Sequence, residues 1–363
     1  MTNKGYDITE AQAFGAFEWT KPNPNIFQKA FRNTIGLVLV PIRFLCWNIV
    51  LFFIAIFAVI AMIGADKKDV TKHPIRQWLI VKWSRAWVRV GLFLSGFFWI
   101  KVKGERDPDA SVFITNHQSW CDPCCAIMEL GAGFISKIEN KKVYGVGIIA
   151  QCIGCIFVSR DSEESRKQAQ EDLTAGIKNP DRTICVFPEG TITNTKHLSS
   201  FKTGVFVAGE PIQPILFRYD LGCMPPHWVA GNMFANYFKL CMNPWNGITI
   251  EYLPTYHPNE AEKANPQLYA HNMQKVMCDG LGVTAEVTGY QEHRCALDYY
   301  NGKLTWEEAV DKVIGVRKTR YEKHKKFVQE SGAEDHCFVS YMGEEEETVE
   351  EPNEQLQEEE STE

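Results

Sequence analysis

The stretch Ser111-Val-Phe-Ile-Thr-Asn-His-Gln-Ser-Trp-Cys-Asp-Pro123 passes from an apolar run to a polar segment and then to a helix start. The run up to Thr115 is typical of a buried strand. Asp122 is a favoured N-cap residue and Pro123 a favoured first residue of a helix. The sequence therefore predicts a strand, a loop over residues 117–122 and a helix.

Similar apolar runs alternate with helical stretches from residue 101 to about residue 297. Asp161, with Glu164 three residues later, predicts a helix from about Ser162 to Ile177. This alternation predicts an α/β domain over 101–297, with a mixed, largely parallel sheet covered by helices. The predicted strands are Ser111–Thr115, Ile153–Val158, Thr183–Phe187, Ile212–Phe217 and Ile248–Leu253.

An apolar segment precedes this domain. Phe44–Ala65 has 22 residues and no charge. At 1.5 Å per residue it is about 33 Å long, enough to cross a bilayer core of about 30 Å. We therefore predict an N-terminal membrane helix within a region of membrane-spanning and interfacial helices, residues 35–100, with a buried core helix as the alternative. Within this region, Val90–Ile100 is too short to span and is expected at the interface or against the domain.

The two ends of the chain differ from its body. Residues 1–34 are polar and aromatic with scattered prolines, and we expect them to be irregular. Thr305 and Glu308 form a predicted capping box that opens a basic helix within residues 298–343, either solvated or in contact with a membrane. The last twenty residues, 344–363, contain eleven glutamates and no basic residue, which predicts a disordered acidic tail.

Charge and cysteine content limit the classes of function. The net charge is −7, but the acidic tail more than accounts for it, so the body is mildly basic. That suits an anionic membrane surface and is too weak to indicate binding of nucleic acid. Twelve cysteines, many in apolar runs, indicate reduced thiols in a cytosol-facing domain. The pairs Cys121-x-x-Cys124 and Cys152-x-x-Cys155 leave a zinc module as an alternative.

His117 and Asp122 are the first candidates for catalysis. Residues five apart on a regular helix point about 140° away from each other, but a loop can fold the carboxylate back onto the imidazole. A histidine held by a carboxylate can act as a general base. The pair is therefore a candidate for catalysis, and chance proximity is the alternative that the pair alone leaves open.

Two further motifs follow apolar strands. The turn Phe187–Thr191 places polar groups at the sheet edge, where α/β proteins bind ligands. Gly154–Arg160 places Arg160 before a helix N-terminus, an arrangement that suits a phosphate group. A surface turn and a surface arginine are the ordinary alternatives.

In order and spacing these motifs resemble the glycerolipid acyltransferase superfamily over roughly residues 100–220. The matching blocks are Asn116–Asp122, Gly154–Arg160, Phe187–Thr191 and Ile212–Ile215. A subgroup, the lysophosphatidylcholine and lysophosphatidylethanolamine acyltransferases, is similar in further blocks. These are Glu189–Asn194, Phe201–Gly204, Pro211–Tyr219 and Glu251–Pro254.

The resemblance implies an enzyme of the endoplasmic reticulum membrane that moves an acyl chain from acyl-CoA to a lysophospholipid in phospholipid synthesis or remodelling. His117 would take the proton from the acceptor hydroxyl, and Asp122 would orient His117. The residues expected to hold the acceptor are Arg160, Glu189, Gly190, Thr191 and Lys202. No cofactor and no metal are expected, because a thiol with a pKa near 8.5 leaves without strong acid assistance.

The acceptor headgroup is predicted from charge as well as from resemblance. A phosphomonoester carries up to about two negative charges and needs several cations. Between Phe187 and Phe201 the chain has only Lys196, with Lys202 just beyond. A choline or ethanolamine phosphodiester is therefore expected. The alternatives are a 1-acylglycerol-3-phosphate acyltransferase and, from another class, a catalytically inactive membrane scaffold.

Overall fold

A computed structural model describes residues 6–19, 24–64, 73–143, 146–159, 162–179, 182–221, 227, 229 and 233–343. Its strands are β1 Trp99–Lys103, β2 Val112–Thr115, β3 Ile135–Lys137, β4 Ile156–Val158, β5 Ile184–Val186, β6 His197–Ser199, β7 Gln213–Asp220, β8 Gly247–Tyr252, β9 Thr284–Glu286 and β10 Cys337–Phe338. All five predicted strands are confirmed, with ends that differ from the predicted ones by at most three residues.

The central sheet has the strand order β1-β8-β7-β2-β5. Only the β7–β8 pair is antiparallel, so the prediction of a mixed, largely parallel sheet is confirmed. Beyond β5, Gly133 forms a parallel bridge to Ile184, and the parallel β3–β4 pair continues from there. A separate parallel sheet has the order β10-β9-β6.

The helices are α1 Glu10–Phe14, α2 Ile26–Ala61, α3 Pro74–Leu94, α4 Cys121–Leu130, α5 Val146–Cys152, α6 Glu163–Ile177, α7 Met233–Cys241, α8 Glu260–Ala264, α9 Pro266–Leu281, α10 Tyr290–Tyr300 and α11 Trp306–Ser331. The helix predicted to begin near Ser162 is confirmed as α6. Its N-cap is Ser162, whose hydroxyl accepts a hydrogen bond from the Ser165 amide. Asp161, the predicted cap, lies outside the described residues.

Helices cover both faces of the central sheet because successive strand residues point to opposite sides. Phe113 of β2 faces a core formed with α3 and α4, whereas its neighbour Ile114 faces a second core formed with α6 and α9. Both side chains are fully buried. The edge at which the parallel strands end is thereby left open between two helical layers.

Helix α2 has 36 residues and is long and apolar enough to cross a membrane, judged by length and composition alone. Its buried residues form one stripe, Gly36, Arg43, Val50, Ile54 and Ala58. The stripe packs on the domain: the Arg43 guanidinium donates to the Cys241 carbonyl at 2.8 Å, and Ala58 clusters with Cys152. The predicted run Phe44–Ala65 therefore falls mostly within α2, and Ala65 lies outside the described residues.

The prediction that residues 1–34 are irregular is wrong. Thr9 with Gln12, and Asn25 with Gln28, form capping boxes that open α1 and α2. Phe14 is buried against α10 and α11, so tertiary packing stabilises the short helix that its capping box opens. The Val90–Ile100 segment is also not one unit, because it contains the end of α3 and the start of β1.

The C-terminal helix is confirmed as α11, with both hydrogen bonds of the predicted capping box in place between Thr305 and Glu308. Most of its basic residues are exposed, so the solvated and membrane-contact alternatives both stay open, but Arg317 serves neither. Arg317 is fully buried, donates to the Ala13 carbonyl at 3.0 Å, and lies 3.6 Å from the Glu286 carboxylate. The predicted acidic tail, residues 344–363, lies outside the described residues.

Candidate active site

The loop after β2 brings His117 and Asp122 together. Helix α4 begins at Cys121, two residues earlier than predicted for a helix that is capped by Asp122 and starts at Pro123, so Asp122 lies in the first turn. Its Oδ2 atom accepts hydrogen bonds from the backbone amides of Gln118 at 2.6 Å and Ser119 at 2.7 Å. The same oxygen lies 2.8 Å from His117 Nδ1. The predicted folding of the carboxylate onto the imidazole is confirmed.

Tyr219 completes the surroundings of the carboxylate. Its hydroxyl donates to the other oxygen of Asp122, Oδ1, at 2.6 Å. Burial, followed by the nearby Asp122 charge, raises the pKa of Tyr219, so the hydroxyl stays protonated as a donor. The Asp122 side chain is fully buried and accepts bonds at both oxygens. Its position is therefore tightly constrained.

The hydrogen bond to Asp122 determines which imidazole nitrogen can react. A proton on Nδ1 bonded to the carboxylate leaves Nε2 with a free lone pair. Among the described residues, Nε2 has no hydrogen-bond partner. The His117 side chain is 19% exposed and stacks on Phe187, with ring centroids 4.4 Å apart. This geometry suits a general base that accepts a proton from a bound molecule.

Glu189 follows the neighbouring strand β5 and supports the loop that carries His117. Because β2 and β5 are adjacent and parallel, the residues after them meet at one edge. Glu189 Oε1 accepts from the His117 amide at 3.0 Å, and Oε2 accepts from the Ser199 amide at 3.1 Å. The side chain is 1% exposed. A buried carboxylate engaged in this way positions His117, and the expected contact of Glu189 with the acceptor stays a prediction.

Gly190, Thr191 and Lys202 lie together at the same turn. Gly190 has φ +64°, and a Cβ there would lie 2.6 Å from Lys202 Nζ. Glycine is thus needed for both the backbone conformation and the close approach of the lysine. The Thr191 hydroxyl lies 2.6 Å from His293 Nδ1. Arg160, the other predicted cation, lies outside the described residues.

The known proteins that this chain resembles are acyltransferases. Residues 99–218 match a family model described as Acyltransferase. Lysophosphatidylcholine acyltransferase 1 of Danio rerio is 31% identical over 284 residues, covering 76% of this chain and 54% of that protein. The chain belongs to the glycerolipid acyltransferase superfamily. It spans about half the length of the curated relatives it matches.

Two other similar proteins extend the comparison. Lysophospholipid acyltransferase LPCAT4 of Xenopus tropicalis is 32% identical, covering 77% of this chain and 55% of that protein. A crystal structure of the 1-acyl-sn-glycerophosphate (LPA) acyltransferase PlsC from Thermotoga maritima is 18% identical. That comparison covers 69% of this chain and 98% of the solved one, with a TM-score of 0.49.

Sequence reasoning missed several residues that hold the acyltransferase site together. Asn116 and Phe217 exchange two hydrogen bonds, at 2.9 and 3.0 Å, which join the end of β2 to the middle of β7. The Asn194 side chain donates to the Gly15 carbonyl at 2.8 Å and so fastens the N-terminal segment beside the Glu189 turn. Tyr219 was recognised only as part of a similar sequence block. None of these contacts has a local sequence signal.

The alternative of a zinc module built on the two cysteine pairs is wrong for this acyltransferase. Cys121 and Cys124 lie on α4, whereas Cys152 packs with Ala58 and Met62. Burial raises the pKa of the Cys124 and Cys155 thiols to about 12, as expected for inert core cysteines. In the part of the chain that the structure describes, these pairs form no group of three or more metal-binding side chains.

Replacing Tyr219 by Phe is expected to lower kcat about tenfold. The change leaves Asp122 Oδ1 buried without its donor, at a cost of about 1–3 kcal/mol, and loosens the carboxylate that orients His117. Steady-state kcat and KM measure the effect. Tyr252→Phe is the matched control, since Tyr252 is a buried tyrosine that donates to Glu129 at 2.9 Å. Equal loss in both variants would contradict the role of Tyr219.

Glu189 is expected to make stability depend on pH. Burial raises the pKa of its carboxyl to about 7, although the His117 and Ser199 amides oppose the shift. A carboxyl group whose pKa is higher in the folded protein than in the unfolded chain stabilises the fold at pH values below its unfolded-state pKa. This contribution is lost as the pH rises through the folded-state pKa. Relative to Glu189→Gln, the wild type should lose free energy of unfolding between about pH 4.5 and about pH 7. Unfolding measured in detergent at both pH values checks this, and a constant difference would refute it.

Proposed function

We propose that this acyltransferase moves a fatty acyl chain from acyl-CoA to the free glycerol hydroxyl of a lysophospholipid. The observation that carries the proposal is the His117 imidazole, held through Nδ1 by the buried Asp122 carboxylate. Its Nε2 atom is left for a substrate at the sheet edge. The names of the relatives support the same reaction class.

The reaction follows from this geometry. His117 Nε2 accepts the proton of the acceptor hydroxyl while that oxygen attacks the thioester carbonyl carbon. Asp122 stabilises the imidazolium that forms. Collapse of the tetrahedral intermediate breaks the carbon–sulfur bond, and the CoA thiolate leaves and takes up the proton. Neither step calls for a metal or a cofactor, and we propose that the reaction uses none.

We propose a choline or ethanolamine headgroup for the acceptor. The described residues place one lysine, Lys202, against the Glu189–Thr191 turn. One cation there, with Arg160 close in sequence to the end of β4, suits the single charge of a phosphodiester. A buried Glu189 carboxylate beside the turn disfavours the higher charge of a phosphomonoester. Lysophosphatidylcholine is also the substrate in the name of one relative.

An acyl-CoA consumption assay on detergent-solubilised protein tests the proposal. CoA release is measured with lysophosphatidylcholine, lysophosphatidylethanolamine and lysophosphatidic acid, with His117→Ala as the background. Higher kcat/KM with either of the first two acceptors is expected. A preference for lysophosphatidic acid would place the protein among the enzymes that make phosphatidic acid. No CoA release with any lysolipid would favour an inactive scaffold.

We propose that α2 inserts into a lipid membrane by its exposed face. Leu37 is 80% exposed and Leu45 62% exposed, opposite the stripe that packs on the domain. Apolar surface on this scale is typical of membrane contact.

We further propose that the protein lies in the endoplasmic reticulum membrane, that its catalytic domain faces the cytosol, and that it does not bind nucleic acid. The described cysteines are all free, which supports a reducing compartment.

Extraction of membranes at high pH tests whether α2 is inserted in the lipid. The protein should stay in the pellet when membranes are washed with high-pH carbonate, because the apolar face is held by lipid and not by charge. Immunoblots of pellet and supernatant measure this. High-salt washing is the control for electrostatic binding. Recovery in the carbonate supernatant would contradict insertion.

A further inference from the structure

A cluster of metal-binding side chains lies on three elements outside the active site. His271 is on α9, His324 on α11 and Cys337 on β10. One ligand atom from each lies within 4.8 Å of the other two. The three residues are far apart in the sequence or on different elements, so the fold alone brings them together. His117 and Asp122 are not part of the cluster.

Both histidines already have the hydrogen bonds that orient metal ligands. His271 Nε2 lies 2.7 Å from the Glu334 carbonyl oxygen, and His324 Nε2 lies 2.9 Å from Asp335 Oδ1. In each ring Nε2 is thus engaged, and Nδ1 is the nitrogen that would bind a metal ion. Histidines that bind metals almost always donate their second ring N–H to a carboxylate or a carbonyl. Asp335 Oδ1 also accepts from the Cys337 amide at 3.3 Å, so it holds two of the three residues.

His336 supplies a further observation. Its ring centroid is 4.1 Å from that of His271. Its Nε2 atom is buried and has no hydrogen-bond partner among the described residues. A buried nitrogen without a partner is costly, and a bound cation would satisfy it.

We propose that His271, His324 and Cys337 bind a zinc-class divalent ion, and that the neighbouring His336 reaches the fourth position by rotation of its side chain. Imidazole nitrogen and thiolate sulfur are the ligand atoms that zinc prefers in tetrahedral protein sites. In such a site the ligand atoms are about 3.5 Å apart, so side-chain rotations of about 1 Å would close the cluster. The Cys337 thiol gives up its proton to solvent when the zinc–sulfur bond forms.

The ion would stabilise the structure and take no part in acyl transfer. It would join α9, α11 and β10. Gln274 of α9 accepts from the Cys337 thiol at 3.6 Å, a bond that ends when the thiol loses its proton, and donates to the Ser199 carbonyl at 2.9 Å, a bond that remains. Ser199 in turn donates to Glu189. Metal binding would therefore stiffen the support behind the Glu189 turn.

Zinc content and affinity test the proposal without reference to activity. Full-length protein without a polyhistidine tag is purified in detergent, loaded with zinc, dialysed and analysed by mass spectrometry of the metal. About one zinc per chain is expected, with a higher Tm than in the chelator-treated protein. Cys337→Ser and His324→Ala should each weaken binding at least about 100-fold, and Asp335→Asn about tenfold.

Matched variants and a second metal make the result decisive. Cys295→Ser and His257→Gln change a cysteine and a histidine outside the cluster and should keep full zinc affinity. Cobalt-loaded wild type should show a thiolate-to-cobalt charge-transfer band, a readout that does not depend on variants folding. Folded wild type without retained zinc and without this band would overturn the proposal, as would unchanged affinity in Cys337→Ser and His324→Ala.

Discussion

A His117→Ala variant is expected to lose nearly all acyl transfer, with kcat reduced about 10²–10⁴-fold. The general base is removed, and no described side chain is hydrogen-bonded to Nε2 in a way that could replace it. The fold should remain, because the His117 backbone keeps its bonds. Its amide donates to Glu189 at 3.0 Å, and its carbonyl accepts from the Thr193 amide at 2.9 Å.

CoA release under saturating acyl-CoA and acceptor measures this loss. Tm and membrane recovery of the variant should match the wild type. His257→Ala, a change of the same kind at an exposed histidine, is the matched control and should be fully active. Turnover like that of the wild type in His117→Ala would eliminate His117 as the base and, with it, the proposed mechanism.

An Asp122→Asn variant is expected to lose about 10³–10⁴-fold in kcat. If the amide NH₂ occupies the Oδ2 position, it faces the Gln118 and Ser119 amides, which are donors, and the wrong imidazole tautomer is favoured. If the amide oxygen stays there, the tautomer is kept but the charge that stabilises the imidazolium is lost. Both arrangements raise the barrier to proton transfer.

The losses in kcat caused by the His117→Ala and Asp122→Asn substitutions should not be additive. Because Asp122 acts through His117, the double variant should be about as inactive as His117→Ala alone. Asp107→Asn is the matched control, since Asp107 accepts from Thr255 at another part of the sheet. Near wild-type activity of Asp122→Asn, or additive losses in the double variant, would contradict an orienting role.

Local sequence signals determined much of the fold. Apolar runs predicted every strand of the central sheet except β1, and the capping residues Ser162 and Thr305 lie at the starts of α6 and α11. These features depend on residues that are neighbours in the sequence, so periodicity and capping chemistry are sufficient to predict them. The short strands β3, β6, β9 and β10 were not predicted because, unlike the equally short β4 and β5, they do not lie within a longer apolar run.

The sequence by itself determined the reactive pair, since His117 and Asp122 share one short loop whose composition already indicated a strand, a turn and a helix. Only the tertiary structure decided what surrounds them. Tyr219 is 97 residues from Asp122, and Glu189 is 72 residues from His117. Such contacts depend on which strands are neighbours. The structure likewise placed the Glu189 carboxylate under the His117 loop and brought His271, His324 and Cys337 together. Burial and short distances between remote residues arise only when the sheets and helices pack.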